Sequence, residues 1–256
     1  MTGLTVSRRQ LHLLSRQTGA NDWPFPFRAP QWPWQSEEER LRAELAVRGE
    51  LESAGLLQRG PDQTWHADPL LGAAATLLGN WTRSTDLVYH GPKDTVVAAV
   101  YSDGRHAVRV VGADIASDED LRLDRADPEE LFGALLATVP DKPAGSSAPV
   151  RVPAREGGLR PGRPSTQRAT EDLRIARTLT ESGTGMGRLG ASVRTAPDQP
   201  VARCPRLVAF VDSSSVQIGG RYELSHDGGY ATLAPASRTS LINSAHRMLA
   251  DTRVAA

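Results

Sequence analysis

The chain has 256 residues, 39% hydrophobic and 23% charged, with a formal net charge of +0. This is the composition of a globular protein long enough to bury a sizeable core, as one large domain or two small ones. Balanced charge gives no overall basic field to draw nucleic acid, and a single cysteine, Cys204, excludes both an internal disulfide and a cysteine-based zinc cluster.

The segment MTGLTVSRRQLHLL lacks the apolar core of a signal peptide, and no later run reaches the roughly 18 apolar residues of a membrane span. A cytoplasmic protein without membrane insertion is expected. Leu4-Thr5-Val6 reads as a strand, and Ser7 with Gln10 makes a capping box opening a helix that Gly19 stops. The prolines of WPFPFRAPQWPW, from Trp23 to Trp34, forbid a helix, so its rings are expected on an extended loop pinned over the core. Ser36 and Glu39 form a second capping box, before a helix with a stripe of Leu41, Leu45, Leu51 and Ala54 that Gly55 ends. Asp68 before Pro69 caps a third helix, whose Leu70, Leu71, Ala74, Leu77 and Leu78 share one face.

From Thr85 the period shortens to that of strands. TDLVYH, DTVVAAVY and HAVRVVG are rich in β-branched residues, with Gly91-Pro92 and Asp103-Gly104 at the turns. DLRLD then leads to an Asp127 cap and a helix burying Leu131, Leu135, Leu136 and Val139. The Pro-, Gly- and Arg-rich segment of about 141–167 reads as a flexible linker or surface loop. Beyond it come a helix carrying Leu173, Ile175, Ala176 and Leu179, the strands RLGASVRT, PRLVAFVD, GGRYELS and GYATLAP, with a turn at Asp227-Gly228, and a last helix with Leu241, Ile242, Ala245, Met248 and Leu249.

Helix, four strands, helix thus occurs twice. The expected fold class is α+β: pseudo-twofold duplicated halves, with a central antiparallel sheet flanked by helical groups. The expected organisation is a single domain over 1–256, with halves of about 1–140 and 168–256.

Motifs for chemistry are weak. Gly185-Met186-Gly187-Arg188-Leu189-Gly190 has the letters of a dinucleotide loop, but it follows a helix and opens a strand, the reverse of the polarity that presents a helix N-terminus to a pyrophosphate. The six histidines show no metal-ligand spacing, and no hydrolase elbow or P-loop occurs, so neither metal nor cofactor is expected. Cys204, beside Arg203, reads as a small buried hydrophobe more readily than as a nucleophile, and Ser213 to Ser215 beside Asp212 as a polar strand end. The glycine pairs Gly219-Gly220 and Gly228-Gly229 bracket one strand, which predicts that Asp212 pairs with Arg221 to hold that strand to its neighbour.

The C-terminal stretch resembles the EspG family, the type VII (ESX) secretion-associated chaperones of actinobacteria. The matching residues are Met186 to Gly190 opening a strand, Asp212 ending one, Gly220-Arg221-Tyr222, and Tyr230, Thr232 and Pro235 in YATLAP, where the family usually has tryptophan in place of Tyr230. The resemblance extends over nearly the whole chain in order of elements. It implies a non-enzymatic cytosolic chaperone that holds helical-hairpin substrates of the PE-PPE type by an apolar tip and keeps them soluble for export. Apolar residues of the second half would then contact the partner, and Leu173, Leu189, Val193 and Leu241 are the candidates. A monomer or weak homodimer is expected. The competing readings are a protein-binding regulatory module unrelated to secretion, and a diverged enzyme using Cys204.

Overall fold

The computed structural model describes residues 3–20, 22–31, 34, 36–113, 119–153, 167–227 and 229–255. Its elements are helices separated by runs of consecutive strands, many of them paired antiparallel, an α+β fold. Contacts divide the chain into two compact units: one of Met1–Asp86, Val97–Leu135 and Ser192–Ala202, the other of Leu87–Val96, Leu136–Ala191 and Arg203–Ala256.

The first unit opens with β1 (Leu4–Val6) and α1 (Arg8–Gln17), the helix entered through the expected capping box: Gln10 N donates to Ser7 Oγ, and the Gln10 side chain accepts from Ser7 N. After Trp23 and Phe27, both buried, come α2 (Glu37–Ser53), the hairpin β2 (Leu57–Arg59) and β3 (Trp65–Ala67), and α3 (Pro69–Asn80), where Asp68 accepts from Leu70 N and Leu71 N. β4 (Arg83–His90), β5 (Thr95–Ser102), β6 (Ala107–Gly112) and β7 (Leu121–Ala126) follow, then α4 (Leu131–Leu136). Strand order here is β1-β7-β6-β5-β4. α1 and α3 pack with Val97, Tyr101, Val110 and Leu121 into one core, and at 20–33 cal/mol per Å2 of apolar surface this burial is the main favourable term of the unit. Arg109 on β6 pairs across to Asp124 on β7 at 2.8 Å and donates to Ala134 O in α4, tying helix to sheet.

The second unit takes the end of β4 from Leu87 and adds β8 (Val150–Pro153), α5 (Gln167–Glu181), β9 (Gly183–Val193, up to Ala191 in this unit), β10 (Ala202–Arg203, of which it holds Arg203), β11 (Val208–Ser213), β12 (Gly220–Asp227), β13 (Tyr230–Pro235) and α6 (Arg238–Ala255). Its strand order is β4-β9-β11-β12-β13-β8, with antiparallel registers between β9, β11, β12, β13 and β8. α5 lays Ala176 and Leu179 on Val150, Val152, Tyr222, Ala231 and Leu233, a second core.

Three expectations need correction. Leu41 and Leu45 of α2 are exposed, whereas Val47 and Leu51 of that helix are buried, so of the expected stripe Leu51 reaches this chain's core and Leu41 and Leu45 do not. The hairpin of β2 and β3 was not foreseen, because its three-residue strands carry Gln58, Arg59 and His66 where apolar alternation would mark a strand. The start of the expected linker is structured: Pro143 O accepts from Arg221 N at 2.8 Å, Gly145 N donates to Arg221 O at 2.9 Å, and β8 pairs with β13. The rest of that segment, 154–166, and Gly228 of the expected turn lie outside the described residues. Between α3 and α4 lie β4 to β7, and between α5 and α6 lie β9, the two-residue β10, β11, β12 and β13.

Candidate functional site

Asp212 and Arg221, on β11 and β12, form a buried strut. Asp212 and Arg221 stand opposite each other in the β11–β12 register, as predicted, and both are 0% exposed. Arg221 Nε donates to Asp212 Oδ1 at 2.7 Å and Nη2 to Oδ2 at 2.8 Å, the bidentate geometry that suits a planar guanidinium. Nη2 also donates to Pro140 O at 2.9 Å, and Tyr89 Oη donates to Asp212 Oδ2 at 3.0 Å. Burial first, and then the Asp212 carboxylate, push the Tyr89 hydroxyl up to about 12, so it remains a donor. The guanidinium lies 4.6 Å from the Phe210 ring centroid, and Phe210 stacks on Tyr89.

The glycines of the false dinucleotide loop make this strut possible. Gly185 lies opposite Asp212 and Gly187 opposite Phe210. A Cβ on Gly185 would stand 2.0 Å from Tyr89 Oη, and one on Gly187 2.1 Å from Phe210 Cζ, so both strands of rings need a bare backbone beneath them. Gly220 (φ +118°) is required twice over, because a Cβ there would meet Ala144 O at 2.8 Å. Tyr222, on the other face of β12, donates to Ile218 O and accepts from Ser147 N. Tyr230 is exposed under the Arg151 guanidinium, Thr232 lies on β13 opposite Arg151 and Ser225, and Pro235 ends that strand opposite Tyr222.

Strand alternation then decides what the opposite face does. With Phe210 and Asp212 committed to the strut, Val211 must point the other way, and its neighbours in register, Met186 and Tyr222, point with it. There the sheet carries an apolar groove of about 460 Å3. Its floor is Met186, Val211, Leu224 and Leu233, one wall is Leu179 and Thr180 of α5, and its mouth is set by His90, Gly91, Pro92 and His226. Met186, Val211 and Leu224 are half-buried, so apolar surface here stays open to solvent. A second groove of similar volume lies on the other side of α5, lined by Val152, Pro153, Leu173, Ala176 and Arg177.

Of the four expected contact residues, Leu173 lines this second groove. Leu189 and Leu241 are wholly buried and Val193 nearly so; they are core positions in β9 and α6 and present no surface. The residues that line the first groove were missed, although the alternation of PRLVAFVD against the buried Asp212 already points Val211 away from it. Cys204 is buried, its thiol directed at Met248 O, 3.6 Å away. Among the described residues no group of three or more His, Cys, Asp or Glu side chains is placed to hold a metal ion, and no helix is long and apolar enough to cross a membrane.

The sequence model of the EspG family matches residues 7–245. The chain belongs to the EspG family. No curated protein matches it, whereas 15 chains of solved structures do. One of these is the Mycobacterium tuberculosis type VII secretion system chaperone EspG5, solved in complex with a PE25-PPE41 dimer. It is 13% identical, superposes with a TM-score of 0.63, and the match covers 97% of this chain and 96% of that one. At that identity the likeness establishes the fold: the α+β arrangement of this EspG chain is that of a chaperone built to the same length.

Proposed function

We propose that this EspG protein is a cytosolic, non-enzymatic chaperone of type VII secretion, a single functional domain that binds the apolar tip of a helical-hairpin substrate of the PE-PPE type and keeps it soluble for export. The observation that carries this reading is the open apolar groove over Met186, Val211 and Leu224, on the face of the sheet opposite the Asp212–Arg221 strut. A secreted helical bundle with an apolar tip is prone to self-association, and a groove between a sheet and a helix can cover such a tip as in helix-in-groove recognition. The lining histidines and threonines, His90, His226, Thr180 and Thr184, supply the few polar groups that fix the register of an otherwise apolar contact. The EspG5 complex with PE25-PPE41 supports the choice of substrate class.

Binding alone suffices for such a role: a ligand that binds only the folded, soluble substrate shifts its equilibrium by RT ln(1 + [L]/Kd). Co-expression with helical-hairpin ESX substrates from the same genome, followed by size exclusion, tests the assignment. Co-elution with at least one such substrate is expected; failure with every one of them rejects it.

A further inference from the structure

We propose that the substrate straddles α5: one helix end of the hairpin seats in the groove over Met186 and Val211, and the other seats in the second groove, across α5, over Val152 and Leu173. This rests on the chaperone reading above and gives an occupant to the groove which that reading leaves unused. Both grooves hold about 460 Å3, and α5 is a wall of each, with Thr180 lining the two of them. Among the described residues, β8 and α5 alone line the second. Its Val152 and Ala176 are buried, Leu173 is half-buried and Pro153 is exposed, so apolar surface meets solvent on this side of α5 as it does on the other. Two packed helices run about 8–10 Å apart, axis to axis, and a helix with its side chains is about 10–12 Å across, so the ends of a hairpin stand one on each side of α5 with little splaying. A substrate seated in the first groove thus has its second helix within reach of the other, and covering both removes the remaining apolar strip from water.

Charge separates the two occupants. Among the described residues no Asp, Glu, Lys or Arg lines the first groove, whereas the second carries Arg177 and Glu181. These two stand one turn apart on α5, at ion-pair spacing but in the weaker order, base before acid. Both are exposed, and no ion pair joins either of them to a described residue. They are therefore open to a partner: a helix end that brings a carboxylate to Arg177 and, one turn along, a base to Glu181. The other helix of the hairpin enters a groove without formal charge, so the substrate seats one way round.

Photo-crosslinking tests the arrangement. A benzophenone side chain replaces Leu173, and separately Met186, in the full chain bound to a helical-hairpin ESX substrate that co-elutes with it, and the labelled peptides are mapped by mass spectrometry. Each position is expected to mark a single helix, and the two positions to mark different helices of one hairpin. In calorimetry with the same hairpin, Leu173→Glu should lower affinity by about tenfold or more with the circular dichroism spectrum unchanged. Arg177→Glu, exposed and outside the core, should lower it by about fivefold at low salt, where rim charges are least screened. Labels from both positions on one helix, labels from position 173 spread over both helices, or none from it at all overturn the straddle. So does parental affinity in Leu173→Glu and Arg177→Glu when Met186→Glu loses binding, a result that leaves the chaperone reading standing. A chain that co-elutes with no such hairpin removes that reading, and the straddle with it.

Discussion

Replacing Arg221 by Met tests the strut directly. The substitution keeps the aliphatic stem but removes the cation that both Asp212 oxygens accept from, leaving a wholly buried carboxylate that still accepts from the Tyr89 hydroxyl. Breaking a buried ion pair from one side costs about 3–5 kcal/mol. The bond to Pro140 O is lost as well, which loosens the segment that the Arg221 backbone holds through Pro143 and Gly145. For a chain of this size each kcal/mol moves the unfolding midpoint by about 2–4 °C, so a fall of roughly 6–20 °C is expected in thermal denaturation followed by circular dichroism. Asp212→Leu should cost a similar amount, because it strands the guanidinium instead. The pair together, Asp212→Leu with Arg221→Met, should be less destabilised than the sum by at least about 2 kcal/mol, since no buried charge is then left alone. Additivity within about 0.5 kcal/mol, or an Arg221→Met variant within about 1 kcal/mol of the parent, would refute the strut as the element that fixes this sheet.

Further outcomes follow from the same geometry. Tyr89→Phe removes a donor to a buried carboxylate and should lower stability by about 1.5–3 kcal/mol in urea denaturation. Gly187→Ala drives a methyl group to within 2.1 Å of Phe210 and should destabilise by about 1–3 kcal/mol; combining it with Phe210→Leu should recover part of that loss, and no recovery would mean the clash is not with the ring. His12 is held below its ordinary 6.5, first by burial and then by the Arg16 charge. The unfolded chain therefore binds the proton more readily, so stability is full above about pH 6.5 and is lost as pH falls through the window below it. Midpoints measured from pH 7.5 to 5.5 should decline, and less steeply in His12→Phe.

Much of this fold is legible in the sequence because its helices announce their own ends. Ser7 with Gln10, and Asp68 before Pro69, are capping signals that act within a few residues, and the structure satisfies both. The cross-strand pairing of Asp212 with Arg221 was likewise within reach, since the glycines around β12 leave little choice of register. Tyr89, the third member of that strut, was not, because it lies 123 residues away in the chain and no local pattern links the two. Nor could spacing decide which leucines are buried. Leu41 and Leu189 are equally apolar letters, yet the first stands on a helix face this chain leaves bare and the second is enclosed in β9. Burial depends on what packs opposite, which is a property of the tertiary structure, and the same reason put Leu241 among the expected contact residues and left Met186 and Leu224 out.

The most direct test of the central claim combines the groove with its substrate. Met186→Glu and Leu224→Arg place charges on the half-buried floor of the groove without touching Asp212, Arg221 or Tyr89, so the variants should keep the parent's circular dichroism spectrum. Titrated by calorimetry with a helical-hairpin ESX substrate that co-purifies with the unmodified chain, each should lose binding by a hundredfold or more, as expected for a charge buried without a partner at an interface centre, where the penalty is several kcal/mol. Retention of the parent's affinity in both variants would contradict the assignment of this groove as the substrate site.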